Sequence, residues 1–345
     1  METSTLEPHP SFADRKATIR DLHDNCWARL LPHNLVSFVW VGLIWAAIAS
    51  WSTGWWPVTV LVWLLAAHMG HMKMSSFHEA SHGTLHPTFF RNEMQGMLIG
   101  SVILTPLSVF RLAHWQHHAY LATPRDPELW PFTLATAPRV LRVLAAVAEI
   151  VLGFFYTPLL FVRAVLTSPH IPRRQRLRIG LEYAACVATW GTILTVVARH
   201  GWWQQLFVGY LIPAFLSASF QTIRKYTEHL GLLGGDTLTV TRTVVPKDLT
   251  GTVLSKSMLH IDYHGTHHRY ARVPYYNLPE ATPLVFTEGE PAIPIYPSYL
   301  AAMWDMFKSL GNPKVGPQWT EGYAGRVQKA LAAHRAESIG SAQAS

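Results

Sequence analysis

The chain has 345 residues, of which 49% are hydrophobic and only 14% charged, and its mean hydropathy is +0.14. Average soluble domains carry about 25% charged residues, so this balance points to a membrane protein. A formal charge of +7 does not indicate nucleic-acid binding, because the basic residues lie beside apolar segments and form no long run with stacking aromatics. Two cysteines, Cys26 and Cys186, exclude a disulfide framework and lack the paired spacing of a zinc or iron-sulfur site.

The first 34 residues are mixed and charged, with no short apolar stretch before a small-residue cleavage site, and are expected to stay in the cytoplasm. Residues 35–51 form an unbroken apolar run. As a helix it measures about 25 Å, near the roughly 30 Å of hydrocarbon it must cross. Trp51, Trp55 and Trp56 gather in the uncharged connection that follows, as interfacial anchors do. A second helix starts at Pro57, a residue suited to a first helical turn, stays apolar to about Met72 and turns polar through His82. At about 39 Å it outreaches the hydrocarbon, so its last two turns, with His78 and His82, emerge on the cytoplasmic side.

Two further apolar stretches are interrupted: residues 94–110 by Gly96, Gly100 and Pro106, and residues 140–165 by Arg142, Glu149, Pro158 and Arg163. Both are expected to be interfacial or re-entrant helices. Residues 181–198 and 202–220, separated by Arg199, His200 and Gly201, make a second transmembrane hairpin. Arg173, Arg174, Arg176 and Arg178 precede it, and Arg224 and Lys225 follow it, in keeping with a positive cytoplasmic face. The tail from about residue 311 is rich in Gly, Ala and Ser, with an amphipathic pattern at 321–335. The expected fold is therefore all-α and integral to the membrane, with four transmembrane helices in two hairpins and both termini cytoplasmic.

Of nineteen histidines, eight fall in three groups: His78 and His82 in HEASH, His114, His117 and His118 in HWQHH, and His264, His267 and His268 in HGTHH. His229 stands apart. Helix positions three and four apart share a face with Cβ atoms about 5–6 Å from one another, so each group presents its imidazoles together. One such pair alone is commonly two hydrogen-bonded surface histidines. Here the pattern recurs three times, each time just beyond an apolar segment. Groups before residue 118 and after residue 260 can share a metal only if an even number of crossings separates them. Eight or nine imidazoles exceed the needs of one structural zinc and suit two transition-metal ions with coordination positions left open. The residue types leave iron and copper both open.

Two rival readings use the same residues. HEASH satisfies HExxH, the pattern of a membrane zinc peptidase with Glu79 as base, but that leaves HWQHH, His229 and HGTHH without a role. A metal transporter would place its ligands near the bilayer midplane, whereas these groups lie at helix ends.

HEASH, HWQHH and HGTHH, in this order, interrupted by a transmembrane hairpin and followed by ValProTyrTyrAsnLeuPro at 273–279, resemble the three histidine boxes of the membrane fatty acid desaturase and hydroxylase superfamily. ArgAspPro at 125–127 and LysTyrThrGluHisLeuGly at 225–231 match as well. The resemblance covers residues 35–285, leaving 1–34 and 286–345 as flanking cytoplasmic segments. It implies a non-haem di-iron centre held by His78, His82, His114, His117, His118, His229, His264, His267 and His268, under a cytoplasmic helical cap. It also implies dioxygen as co-substrate and an apolar tunnel for a lipid or acyl chain.

His260 stands four residues before His264, where many relatives carry Asn, and either ligates, bridges through water or orients its neighbour. His71 lies on the helical face of His78, with His68 a turn deeper, and is expected to line the site rather than bind metal. Glu79, Asp126, Glu228 and Asp262 are candidate acceptors for imidazole N–H groups. His9, His23, His33, His86, His170, His200 and His334 lack a partner at the required spacing or precede the first span, and receive no role. Two hydrogen abstractions from an acyl chain give an alkene; return of oxygen after the first gives an alcohol. A desaturase is thus the first reading, with a hydroxylase or ketolase of a lipid, carotenoid or alkane as the alternative. With neither an iron-sulfur cysteine set nor a fused haem motif, the chain needs an external donor, a ferredoxin or small haem cytochrome with its reductase. Arg173, Arg174, Arg224 and Lys225 are candidates to dock it.

Overall fold

The computed structural model describes residues 18–24, 31–168, 170–286, 293–323 and 325. Most of the N-terminal segment, Cys26, His9, His334 and the part of the 321–335 pattern beyond residue 325 lie outside the described residues.

Helix α1 (Leu31–Ser52) turns at Gly54, whose φ of 77° lies in the left-handed region that favours glycine, into α2 (Trp56–His82). Pro57 sits in the first turn of α2, and Gly83, at φ 76°, ends the helix one residue after His82. The hydroxyl of Thr59 donates to Ser50 Oγ at 2.8 Å across the hairpin. Helix α3 (Phe89–Val102) meets α4 (Leu107–Tyr120) at a bend of 102°. Two glycines permit it: a Cβ on Gly96 would stand 2.7 Å from a Leu107 methyl, and one on Gly100 2.5 Å from the Thr105 carbonyl.

Helix α5 (Arg139–Thr167) is kinked, with non-helical torsions at Leu152 and Pro158 six residues on. Helix α6 (Arg173–His200) ends at Gly201, φ 68°. Helix α7 (Trp203–His229) contains a π turn at Phe207–Leu211, just before Pro213. Proline has no N–H to give to the preceding turn, and its ring crowds the carbonyl four residues back, so a widened turn relieves both problems.

Helices α2 and α7 form the central pair, with α5 packed on α7 and α6 on α3. The contact between α2 and α7 is close. A Cβ on Gly70 would stand 2.3 Å from Ser217 Oγ, and that hydroxyl donates to the Ala67 carbonyl at 2.8 Å. Large apolar side chains face outward along α5 and α6; Leu166 is 78% and Val187 71% exposed. So much contiguous apolar surface is compatible with lipid rather than water around these helices.

By length and composition three helices could cross a membrane among the described residues, α5, α6 and α7, or four if the bent pair α3–α4 counts as one span. The expected spans 181–198 and 202–220 fall within α6 and α7. The first expected pair is less clear-cut: the described apolar part of α1 is only Val36–Ser52, and His68, His71 and Lys73 dilute the apolar run of α2. Residues 140–165, expected as an interfacial piece, form one long apolar helix whose charges turn inward. Arg142 donates to the Pro313 carbonyl at 2.7 Å, and Glu149 accepts from Lys225 and, at 2.7 Å, from the Tyr226 hydroxyl.

Beyond α7 the chain packs over the ends of α2, α4 and α7. Strand β1 (Thr243–Val244) pairs in parallel with β2 (Ile295–Tyr296), with Thr243 opposite Ile295. Helix α8 (Leu249–Ser257) is capped by Asp248, whose carboxylate accepts from Gly251 N–H at 2.6 Å. Helices α9 (His264–Arg269), α10 (Leu278–Val285) and α11 (Tyr299–Phe307) complete this layer. One apolar core joins Met72 to Leu259, Val273 and Leu278, and a second joins Phe132 and Tyr226 to Leu230, Met306 and Val315. Residues 306–319 are built into the second core: Val315 N–H and Trp319 Nε1 both donate to the Phe132 carbonyl, at 3.1 and 2.8 Å.

Candidate metal centre

The three histidine groups and His229 come together in one cluster. Helices α2, α4 and α7 end here, and the six-residue α9 supplies the third group. In one set, His78, His82, His114, His118 and His267 place ligand nitrogens within 4.8 Å of one another. In a second set His117, His229 and His268 do the same. His264 joins the second set, its Nε2 lying 2.9 Å from that of His229 and 3.0 Å from that of His268.

Each HxxHH motif therefore divides between the two sets. Positions four apart share a helix face, so His114 and His118 go to the first set while His117, between them, points to the second. The third box is divided the opposite way, with His264 and His268 in the second set and His267 in the first. The first box contributes both histidines to the first set, and His229 completes the second.

The donor set fits metal. Two imidazole nitrogens bound to one first-row ion at about 2.1 Å, on adjacent coordination positions, stand about 3.0 Å apart. Nε2 of His114 lies 3.0 Å from that of His82 and 3.1 Å from that of His118. Nδ1 is engaged on the far side of several rings. His229 Nδ1 donates to the Val240 carbonyl at 3.0 Å, an acceptor with no hydrogen to give, so its Nε2 carries a free lone pair toward the cluster. His114 Nδ1 faces Glu128 at 2.9 Å, His117 Nδ1 faces Asp126 at 3.0 Å and His78 Nδ1 faces Glu79 at 3.2 Å. Nε2 of His78 and of His267 are buried with no hydrogen-bond partner, the condition of a nitrogen waiting for a Lewis acid. Burial and neighbouring imidazoles hold His264, His267 and His268 well below the usual histidine range, which favours the neutral form that binds metal.

Of the expected acceptors, Glu79 and Asp126 hold imidazoles directly. Glu79 is fixed in turn by the Thr84 hydroxyl at 2.7 Å. Glu228 stands 3.4 Å from His264 Nδ1, pairs with Arg224, and places an oxygen within 4.8 Å of the His229 and His264 donors. Asp262 and His260 do not reach the cluster: both bond to Ser255 Oγ, at 2.7 and 2.8 Å. Burial pushes the Asp262 carboxyl up to about 7 and, with Lys256 nearby, brings His260 down to about 4. His71 is buried two turns below His78, outside both sets, and His68 bonds to Ser257 Oγ at 2.8 Å.

Two supports escaped the sequence reading. Glu128 had a usable signal, an acid two residues after Asp126, and its carboxylate faces His114 Nδ1 at 2.9 Å. The Val240 carbonyl had none, since a backbone acceptor leaves no mark on residue type. Arg224 and Lys225, expected at a docking face, are instead buried and ion-paired with Glu228 and Glu149.

A cavity lined by His78, His114, His117, His229 and His264 lies against both sets. Phe110, Thr157, Phe161 and Gln221 also line the neighbouring apolar pocket between α2, α5 and α7, whose walls include Met74, Phe77, Phe154, Tyr210 and Ala214.

The family model described as fatty acid desaturase matches residues 53–299. The chain is 26% identical over 321 residues to a protein of Glycine max named omega-3 fatty acid desaturase, chloroplastic, covering 85% of this chain and 66% of that one. It is 24% identical over 279 residues to a protein of Momordica charantia named delta(12) acyl-lipid conjugase (11E,13E-forming), covering 73% of this chain and 65% of that one. The chain thus spans just under two thirds of the length of these curated relatives.

Proposed function

Since the chain belongs to the fatty acid desaturase family, we propose that it is a membrane-bound, oxygen-dependent desaturase that introduces a double bond into the acyl chain of a lipid. The observation that carries this reading is the convergence of nine histidines into two adjacent sets beside an apolar pocket. The five histidines of the first set and the four of the second would each hold one iron. Iron in these sites supplies the activation of dioxygen needed to attack an unactivated methylene.

The chain's own residues do the rest. Asp126, Glu128, Glu79 and the Val240 carbonyl hold Nδ1 of four rings and so aim their Nε2 lone pairs inward. Phe77, Phe110, Phe154 and Phe161 give the acyl chain an apolar, water-excluding lining up to the cluster. Both relatives carry names of acyl-chain desaturation or conjugation, which supports a fatty acyl substrate over a carotenoid or alkane. An external one-electron donor is required.

The topology follows from the site. His117 and His229 have ring centroids 5.0 Å apart, so α5, α6 and α7 do not all cross between them. We assign α6 and α7 as a transmembrane hairpin, α1 and α2 as the other, and α5 with the bent α3–α4 pair as helices lying along one membrane face. The buried Arg142 of α5, tied to Asn312 and Pro313 of the covering layer, supports that placement. The metal centre and both termini then share one side, the cytoplasmic one by the placement of the arginines before α6. Expression in a host of simple lipid composition, with mass spectrometry of its acyl chains, tests the reading. New unsaturation that requires oxygen and is lost in His117→Ala supports it; an unchanged lipid profile with an iron-loaded enzyme and a donor present refutes it.

A further inference from the structure

Eight of the nine imidazoles line one of two openings, and His267 lines neither. His78, His114, His117, His229 and His264 line the cavity that adjoins the apolar pocket, whereas His82, His118 and His268 line a second opening, and no histidine lines both. These three are also the only members of the nine that are partly exposed. The second opening is rimmed by Arg111, Arg269 and Arg272, with the Trp115 indole 67% exposed beside them. Its one acid among the described residues, Glu93, is already held by Arg111 at 2.5 Å and by Arg178.

We propose that this opening is the docking face of an acidic one-electron carrier protein, and that His82, His118 and His268 present the ligand edges through which its electrons enter. The inference rests on the desaturase reading and names the partner of the same site. Forming one double bond converts –CH2–CH2–, O2, two electrons and two protons into –CH=CH– and two waters. Two C–H bonds break, and the two electrons not drawn from them come from the carrier in two deliveries.

The acyl chain occupies the apolar side while this happens, so electrons must enter elsewhere. Transfer rates fall steeply with distance, which favours the face where ligand edges reach solvent. A surplus of arginine steers and orients an acidic partner, and an exposed tryptophan beside arginines is the composition of an interface hot spot. Arg224 and Lys225 are buried and cannot serve.

The test uses the full chain in membranes with an acidic [2Fe–2S] ferredoxin and its NADPH-dependent reductase. Arg272→Glu, alone and with Arg269→Glu, is expected to lower kcat/KM for the ferredoxin by about 10-fold or more and to flatten its salt dependence. Iron content, and alkene formed in a single turnover after dithionite reduction, stay at the wild-type level. Lys247→Glu, at an exposed basic residue that does not line the opening, leaves the ferredoxin kinetics unchanged. Ferredoxin kinetics within about 2-fold of wild type in Arg272→Glu overturn the proposal. So does a loss that appears in KM for the acyl lipid instead, which would make the opening a headgroup site. Wild-type enzyme that oxidises ferredoxin yet forms no alkene under either reductant counts against the desaturase reading and leaves the docking face standing.

Discussion

Asp126 grips His117 from the side away from the cluster, with both carboxylate oxygens 3.0 Å from Nδ1. The carboxylate is itself pinned by the backbone N–H groups of Ala122, Glu128 and Leu129, at 3.1, 3.0 and 3.2 Å. The ArgAspPro turn after the second box is thus a rigid bracket for one imidazole. Replacing Asp126 by Ala removes the acceptor and strands three backbone donors. Iron affinity should fall by about 10- to 100-fold, and stability by about 1–3 kcal/mol for each donor left buried and unsatisfied. Iron titration followed by thermal unfolding measures both; unchanged iron binding would remove Asp126 from this role.

The division of the boxes makes a prediction about iron stoichiometry. His118→Ala and His267→Ala act on the first set, His117→Ala and His268→Ala on the second. Pairs within a set should lose no more iron than the worse single variant, whereas a pair across the sets should lose nearly all of it. Elemental analysis of the purified variants reads this directly. Loss of both irons in every single variant would mean that the two sets load as one unit.

Ala214 lines the apolar pocket and touches neither histidine set. Ala214→Phe should fill the space proposed for the acyl chain, abolishing turnover while iron content stays at wild type. Overpacking of this kind costs about 1–3 kcal/mol, within what a folded chain tolerates. Full desaturation by the iron-loaded variant would place the chain elsewhere.

Glu149 is buried at 1% exposure and takes both Lys225 and the Tyr226 hydroxyl, locking α5 to α7. Glu149→Leu leaves a buried ammonium unpaired and should destabilise the fold by about 3–5 kcal/mol. Adding Lys225→Met should recover most of that loss. Thermal unfolding of the singles and the double decides; a double as unstable as the Glu149→Leu single would show that the helix packing, not the charge, is at fault.

Chelation of the metal should lower the thermal midpoint. A ligand at a hundred times its Kd stabilises by about 2.7 kcal/mol per site, and metal-free, several Nε2 lone pairs face one another. Dialysis against a strong chelator and then against Fe(II) should lower and then restore the midpoint. Insensitivity to both would argue against a resident metal.

The chain alone pointed to a histidine cluster able to hold metal, because HxxxH and HxxHH spacing brings side chains to one side of a helix wherever the helix lies. It also marked Glu79 and Asp126, acids beside the boxes, as supports. Membrane character was legible too, in the apolar runs at 181–198 and 202–220. Which imidazole joins which set was not, since α2, α4, α7 and α9 meet across long sequence separations and only their packing decides which rings face each other. The same holds for Glu128 and the Val240 carbonyl as anchors, for Asp262 and His260 turning to Ser255, and for the inward burial of Arg224 and Lys225. Residue type states what a side chain can bind; the neighbours that bury it decide what it does bind.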